Sequence, residues 1–187
     1  MKKEIQNSLN ALYKGEVILY PTDTVWGIGC DATNYDAINK IYNIKNRDPS
    51  KSMIVLIDKL NRLYSYVQNP PEMAFDMMEM NPEPLTIVFD KAKNLPENLV
   101  AEDGSIAFRL VKDSFCTQLI ERFKKPIVST SANFSNQETP LSFSDIDQKL
   151  IEQADYTVKL KQEIKRYKKP SSVIKLSNDG QIKILRK

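Results

Sequence analysis

The chain has 187 residues, 41% of them hydrophobic and 27% charged, with a formal net charge of +3; it is long enough to bury the core of one domain, and so small a positive balance does not by itself demand a nucleic-acid partner. It has no histidine and two cysteines, Cys30 and Cys116, which excludes Ser-His-Asp and Cys-His nucleophile systems as usually built, the commonest catalytic zinc ligand and a disulfide framework. No apolar run approaches the roughly 20 residues of a membrane helix, and the basic start Met1-Lys2-Lys3-Glu4 lacks a following apolar core. The expectation is a cytoplasmic protein with no membrane association, its thiols packed as small hydrophobes.

In chain order, Glu4 to Lys14 reads as an amphipathic helix with Ile5, Leu9, Leu12 and Tyr13 on one face and Gly15 as its stop. Val17 to Tyr20 is a buried strand ending at Pro21. Asp36 to Ile44 is a helix capped by Asn34 or Asp36. Met53 to Ile57 is a second buried strand, and Pro70-Pro71 separates helices over Leu60 to Val67 and Glu72 to Met80. Leu85 to Phe89 and Ile106 to Leu110 are strands. Ser114 caps a helix running to Phe123, and Ile127 to Thr130 is a strand. Asp145 to Gln153 is a helix and Tyr156 to Leu160 a strand. Ser172 to Leu176 and Gln181 to Leu185 flank Asn178-Asp179-Gly180, a hairpin turn.

Strands interleaved with helices predict an α/β fold, and the terminal hairpin makes its twisted sheet mixed parallel and antiparallel. No internal repeat and no linker is visible, so residues 1–187 read as a single domain. In such sheets a ligand cleft lies at the strand ends. The residues with the most chemical content fall there.

Tyr20-Pro21-Thr22-Asp23-Thr24 leaves a strand and runs into Trp26-Gly27-Ile28-Gly29. This reads as a glycine-bearing turn: either a simple Pro/Asp/Gly turn, or one that brings backbone and hydroxyls close to a ligand. Lys45, Arg47 and Lys51 follow a helix end and open onto the next strand. They complement the helix dipole, or they grip phosphate. Ser129-Thr130-Ser131-Ala132-Asn133 puts hydroxyls and an amide where a strand ends, a Ser/Thr/Asn turn or an anion site. Arg109, in an apolar strand, needs an anionic partner or a solvent route. Lys159 to Lys169 is cation-rich and lacks apolar periodicity, a solvated connection or a lid over a ligand.

Taken together and in order, these pieces resemble the YrdC/Sua5 family of threonylcarbamoyl-AMP synthases. The shared motifs are Pro21 to Thr24, Lys45 with Arg47, Ser131 with Asn133, and Ser171-Ser172-Val173; Pro84-Leu85-Thr86 and Ile106 to Arg109 match further pieces. The resemblance covers about Gly15 to Arg186 in the short, single-domain form. Members often carry His near Leu56 and near Asp113, and this chain has none; Trp26 stands for Tyr, Asn136 for Gly and Ser172 for Thr.

The resemblance implies a YrdC-like fold and a nucleotidyltransferase that joins L-threonine, bicarbonate or CO2, and ATP into threonylcarbamoyl-adenylate. Pyrophosphate leaves, and Mg2+ accompanies ATP. Other proteins then transfer the group to adenosine 37 of tRNA. Carried over by position, Lys45 and Arg47 are catalytic. Thr24, Arg109, Ser129 and Ser171 bind threonine, and Arg47, Lys51, Ser105, Ser131, Asn133, Thr139 and Arg186 bind ATP; no residue is assigned to a metal. The rival is a double-stranded RNA- or tRNA-binding module of the same fold without synthase activity. A third possibility, the carbamoyl-transfer domain of hydrogenase maturation factors, belongs to much longer chains with zinc fingers.

Overall fold

A computed structural model describes residues 1–51, 53–163 and 170–187, so the reading of Lys159 to Lys169 as a lid lies largely outside the described residues. The elements are α1 (Lys2–Tyr13), β1 (Ile18–Tyr20), β2 (Gly27–Gly29), α2 (Tyr35–Lys45) and β3 (Ile54–Ile57). They continue through α3 (Leu63–Tyr66), α4 (Met73–Met80), β4 (Leu85–Phe89), β5 (Ile106–Leu110), α5 (Ser114–Phe123) and β6 (Ile127–Ser131). Last come α6 (Gln148–Gln153), β7 (Tyr156–Thr157), β8 (Ser172–Leu176) and β9 (Ile182–Arg186). Among the described residues the strands form one nine-stranded sheet in the order β7-β1-β2-β6-β3-β5-β4-β8-β9. Pairs β1–β7, β3–β5 and β4–β8 are parallel and the others antiparallel, as the mixed reading requires.

Strand alternation sends successive side chains to opposite faces. Val55, Ile87, Phe108 and Val128 join the core beneath α2, α4 and α6. Leu56, Ile18 and Ile127 join a second core beneath α1 and α5. Helices α1 and α5 pack on one another through Ile5, Leu9, Leu12, Phe115 and Leu119. Burying one such Leu or Ile is worth about 1.5–3 kcal/mol.

Several local expectations change. Gly27-Ile28-Gly29 is not a turn but strand β2, paired with β1 and β6. Glycine is depleted in strands, which hid it. It is required here because a Cβ on Gly29 would stand 2.0 Å from the Val128 carbonyl oxygen. Gly29→Ala is therefore expected to cost about 3 kcal/mol by overpacking, lowering the thermal midpoint by about 6–12 °C; calorimetry checks this.

Tyr13 is 64% exposed rather than on the buried stripe, its ring tilted on Phe123 at the rim. The cap of α5 is Asp113, not Ser114: its Oδ1 accepts from the Phe115 and Cys116 amides. The segment from Asp145 divides because the Ser142–Asp145 capping box closes a 3-10 turn, and Asp147 caps a separate α6. Residues 60–67 divide likewise, into a 3-10 turn and α3. The strand at Tyr156 is short because its partner β1 runs into Pro21, which has no N–H to extend pairing.

Candidate active site

Residues directly opposite one another in a sheet share a face. Arg109 lies beside Leu56 on β3 and Thr86 on β4, Thr86 beside Val173, and Val173 beside Arg186. On the other side, Ile54 lies beside Ser129 and Gly27 beside Ser131. All of these point to the face on which Leu56 and Ile127 meet α1 and α5. These helices do not cover the part over Arg109, Ser129 and Arg186, and the cavity lies there. The cleft thus reaches from the strand ends onto the sheet surface.

At its floor Arg109 is only 4% exposed. Its Nη1 donates to Thr24 Oγ1 at 3.0 Å, and its Nη2 pairs with the Asp23 carboxylate at 3.1 Å. The other Asp23 oxygen accepts from the Lys112 amide at 3.2 Å. This answers why an arginine sits in an apolar strand: Asp23 is its buried counter-ion. Thr22 bridges the turn, its hydroxyl bonding the Val25 carbonyl at 2.7 Å and lying 3.0 Å from Thr24 Oγ1. Ser171 is 2% exposed. Its hydroxyl lies 2.7 Å from Thr86 Oγ1, and its carbonyl accepts from Arg186 Nε and Nη2 at 3.0 and 2.8 Å.

The cation side is built by the end of α2. Asn46 takes a left-handed conformation, φ 47°, which turns the chain so that Arg47 leaves the helix line and lines the cavity. The Lys51 carbonyl accepts from Arg47 Nε at 2.8 Å. Burial lowers the pKa of Arg47. Burial, and then Arg109, does the same to Arg186. Both shifts start from so high a value that the groups stay charged. Asn136 adopts φ 66° in the loop beyond β6, a backbone suited to Gly and tolerated by Asn.

Of the residues singled out in the sequence, the cavity brings together Thr24, Arg47, Arg109, Ser129, Ser131, Thr139, Ser171 and Arg186. Lys45, Lys51, Ser105 and Asn133 are not among its lining residues. Lys51 is exposed. Ser105 precedes β5, four residues before Arg109, with its amide on Asp103. Lys45 is 1% exposed, and its Nζ donates to the Ser131 carbonyl at 2.5 Å and to that of Asn133. Burial draws its pKa down to about 7, Arg47 adding to the effect. Sequence reasoning did not assign Gly27, Ile54 and Pro170, which line the cavity, or Thr86 behind Ser171. A polar residue inside the apolar run Leu85 to Phe89 was the available signal for Thr86.

A family profile described as "Telomere recombination" (Sua5/YciO/YrdC) matches residues 10–187. The chain belongs to the Sua5/YciO/YrdC family. It is 37% identical over 157 residues to a threonylcarbamoyl-AMP synthase of Pseudoalteromonas translucida, covering 82% of this chain and 84% of the relative. It is 32% identical over 186 residues to a putative threonylcarbamoyl-AMP synthase of Methanocaldococcus jannaschii, covering 98% and 82%.

Among solved family structures, E. coli YciO superposes with a TM-score of 0.86 at 25% identity, over 100% of this chain and 90% of YciO. P. abyssi Sua5, solved in complex with L-threonine, superposes with a TM-score of 0.82 at 24% identity, over 94% of this chain. The chain spans only 52% of that Sua5, and at this identity the likeness concerns the fold. No helix among the described residues is long and apolar enough to cross a membrane.

Proposed function

We propose that this protein is a threonylcarbamoyl-AMP synthase. The observation that carries the reading is one cavity in which the hydroxyls of Thr24, Ser129 and Ser171 and the Arg109 guanidinium lie beside Arg47 and Arg186. Hydroxyls with a buried arginine suit a hydroxylated amino acid; two further arginines suit a triphosphate. The names of the relatives agree with that division.

The chemistry follows from the residue types. The threonine amine combines with bicarbonate or CO2 to give N-carboxythreonine, whose carboxylate attacks the α-phosphorus of ATP and displaces pyrophosphate. No covalent nucleophile is needed, so the protein's contribution is positioning and neutralisation of developing phosphate charge. Arg47 and Arg186 supply the charge, and Arg109, held by Asp23 and Thr24, fixes the amino acid. Among the described residues, no Asp or Glu lines the cavity. Mg2+ would accompany ATP on its phosphate oxygens, and the hydroxyls of Thr24, Ser129 and Ser131 are oxygen donors the cavity could offer it. The adenylate would pass, in the cytoplasm, to proteins that move its threonylcarbamoyl group onto adenosine 37 of tRNA.

The test is pyrophosphate release from ATP, with mass spectrometry of the nucleotide product. Release is expected to require threonine and bicarbonate together; release from ATP alone, or a product lacking the threonylcarbamoyl mass, overturns the reading. Amino-acid specificity is a second expectation. Serine loses one methyl, worth about 1 kcal/mol of burial, and should be a weak substrate. Valine leaves the site's buried hydroxyls unpaired and should hardly react. Valine turning over as fast as serine would count against a hydroxyl-reading pocket.

A further inference from the structure

The two paired motifs divide in the same way. Arg47 and Ser131 line the cavity, whereas Lys45 and Asn133 do not. Lys45 is nevertheless a long cationic side chain, buried to 1% exposure at the end of α2. Its Nζ meets two carbonyls, those of Ser131 and Asn133, on the segment leaving β6. The link is reciprocal, since the Ser135 amide donates to the Lys45 carbonyl at 2.9 Å. Asn133 turns its own amide inward as well. Its Nδ2 donates to the carbonyls of Phe134 and Gln137, each at 2.9 Å, and closes the loop on itself.

We propose that Lys45 and Asn133 are positioning residues: Lys45 fastens the β6 exit loop to the end of α2, Asn133 pins that loop internally, and the phosphate charge is met by Arg47. Three physical points support this division. Two of the three N–H groups of the ammonium are spent on carbonyls, and the side chain, 1% exposed, is not among the residues that line the cavity. Two N–H groups suffice for the fastening, and a neutral amine keeps both, so the contact survives titration of the group. The same fastening joins the two elements that carry Arg47 and Ser131, so it sets the spacing of a cation and a hydroxyl that must act on one ligand. Losing such spacing by ~1 Å can cost about 100-fold in rate.

The inference rests on the nucleotide reading only for what the cavity holds. It is tested with Lys45→Met and Arg47→Met, a non-hydrolysable ATP analogue, and threonine. Lys45→Met takes the Lys45 donor from the Asn133 carbonyl and leaves the Ser131 carbonyl with the Asn133 amide, and is expected to lower the thermal midpoint by about 5–10 °C. It should weaken the analogue about tenfold or more through misplacement while changing threonine affinity less than about twofold, since Thr24, Arg109 and Ser171 lie on other elements and Ser129, within β6, is held by its pairing with Ile54. The salt dependence of analogue binding separates the roles, because a cation facing phosphate contributes to it. Arg47→Met should flatten it; Lys45→Met should leave it as in the unaltered protein.

An unchanged midpoint with flattened salt dependence in Lys45→Met would make Lys45 a phosphate contact and overturn the proposal. Should Lys45→Met not fold, the nitrogen resonance of the Lys45 ammonium in the unaltered protein decides. It should exchange slowly and keep its shift when pyrophosphate is added; a shift that saturates with pyrophosphate overturns the assignment. Failure of the unaltered protein to bind the analogue would instead count against the nucleotide reading. The midpoint and the ammonium exchange would still judge the fastening.

Discussion

Replacing Arg47 with alanine is expected to reduce threonylcarbamoyl-adenylate formation by about 100- to 1,000-fold, equivalent to about 2.7–4 kcal/mol of transition-state stabilisation. The side chain is half-buried and lines the cavity. Its Nε donates to the Lys51 carbonyl, which fixes the stem of the side chain at the cavity. Binding of a planar fork to phosphate is not reproduced by lysine, so Arg47→Lys should recover only part of the rate. The backbone that places Arg47 is set by Asn46 and the Tyr42 carbonyl, neither of which the substitution touches. The thermal midpoint should therefore move by no more than about 2 °C. A large loss of stability parallel to the loss of rate would move Arg47 to a structural role.

Replacing Arg109 has a different signature. Arg109→Ala is expected to weaken threonine binding by about 100-fold, or about 2.7 kcal/mol, with ATP-analogue affinity changed by less than about threefold. It also strips Asp23 of its counter-ion, and the Asp23 side chain is only 11% exposed. Uncompensated buried charge costs about 3 kcal/mol or more, so the midpoint should fall by about 6–12 °C. Combining Arg109→Ala with Asp23→Asn removes the orphaned charge. It should restore most of the stability and none of the threonine affinity. Calorimetric titration and unfolding of both variants measure the two effects separately. Greater loss of ATP binding than of threonine binding in Arg109→Ala would reverse the assignment of the two halves of the cavity.

Much of the architecture was legible because it is written in local periodicity. The 3.6-residue spacing of Ile5, Leu9 and Leu12 and of Phe115, Leu119 and Phe123 marks helices whose stripes meet in one core. The apolar runs at Ile54, Leu85, Ile106 and Ile127 are all strands, and Asn178-Asp179-Gly180 is the turn between β8 and β9, with Gly180 at φ 87°. Strand β2 was hidden because its two glycines read as a turn in a local scan. The reason for Gly29 is a backbone carbonyl, and for Gly27 the Ser129 hydroxyl, both contributed by a segment about a hundred residues away in sequence.

The sequence by itself determined which chemical groups the site has: hydroxyls, arginines and no histidine, each near the end of a strand or helix. Residue type and short-range order are local properties, and these groups are local. Only the tertiary structure decided which of them share a ligand. Cross-strand register put Arg109, Ser129 and Arg186 on one face of the sheet, and it put Phe108, one residue away, in the opposite core. It also supplied Arg109 with Asp23, and turned Lys45 away from the cavity onto two carbonyls of the β6 exit. A long polar side chain in a low-dielectric interior goes where its donors and charge are matched. Those matching groups come from segments distant in sequence, so no local pattern could name them.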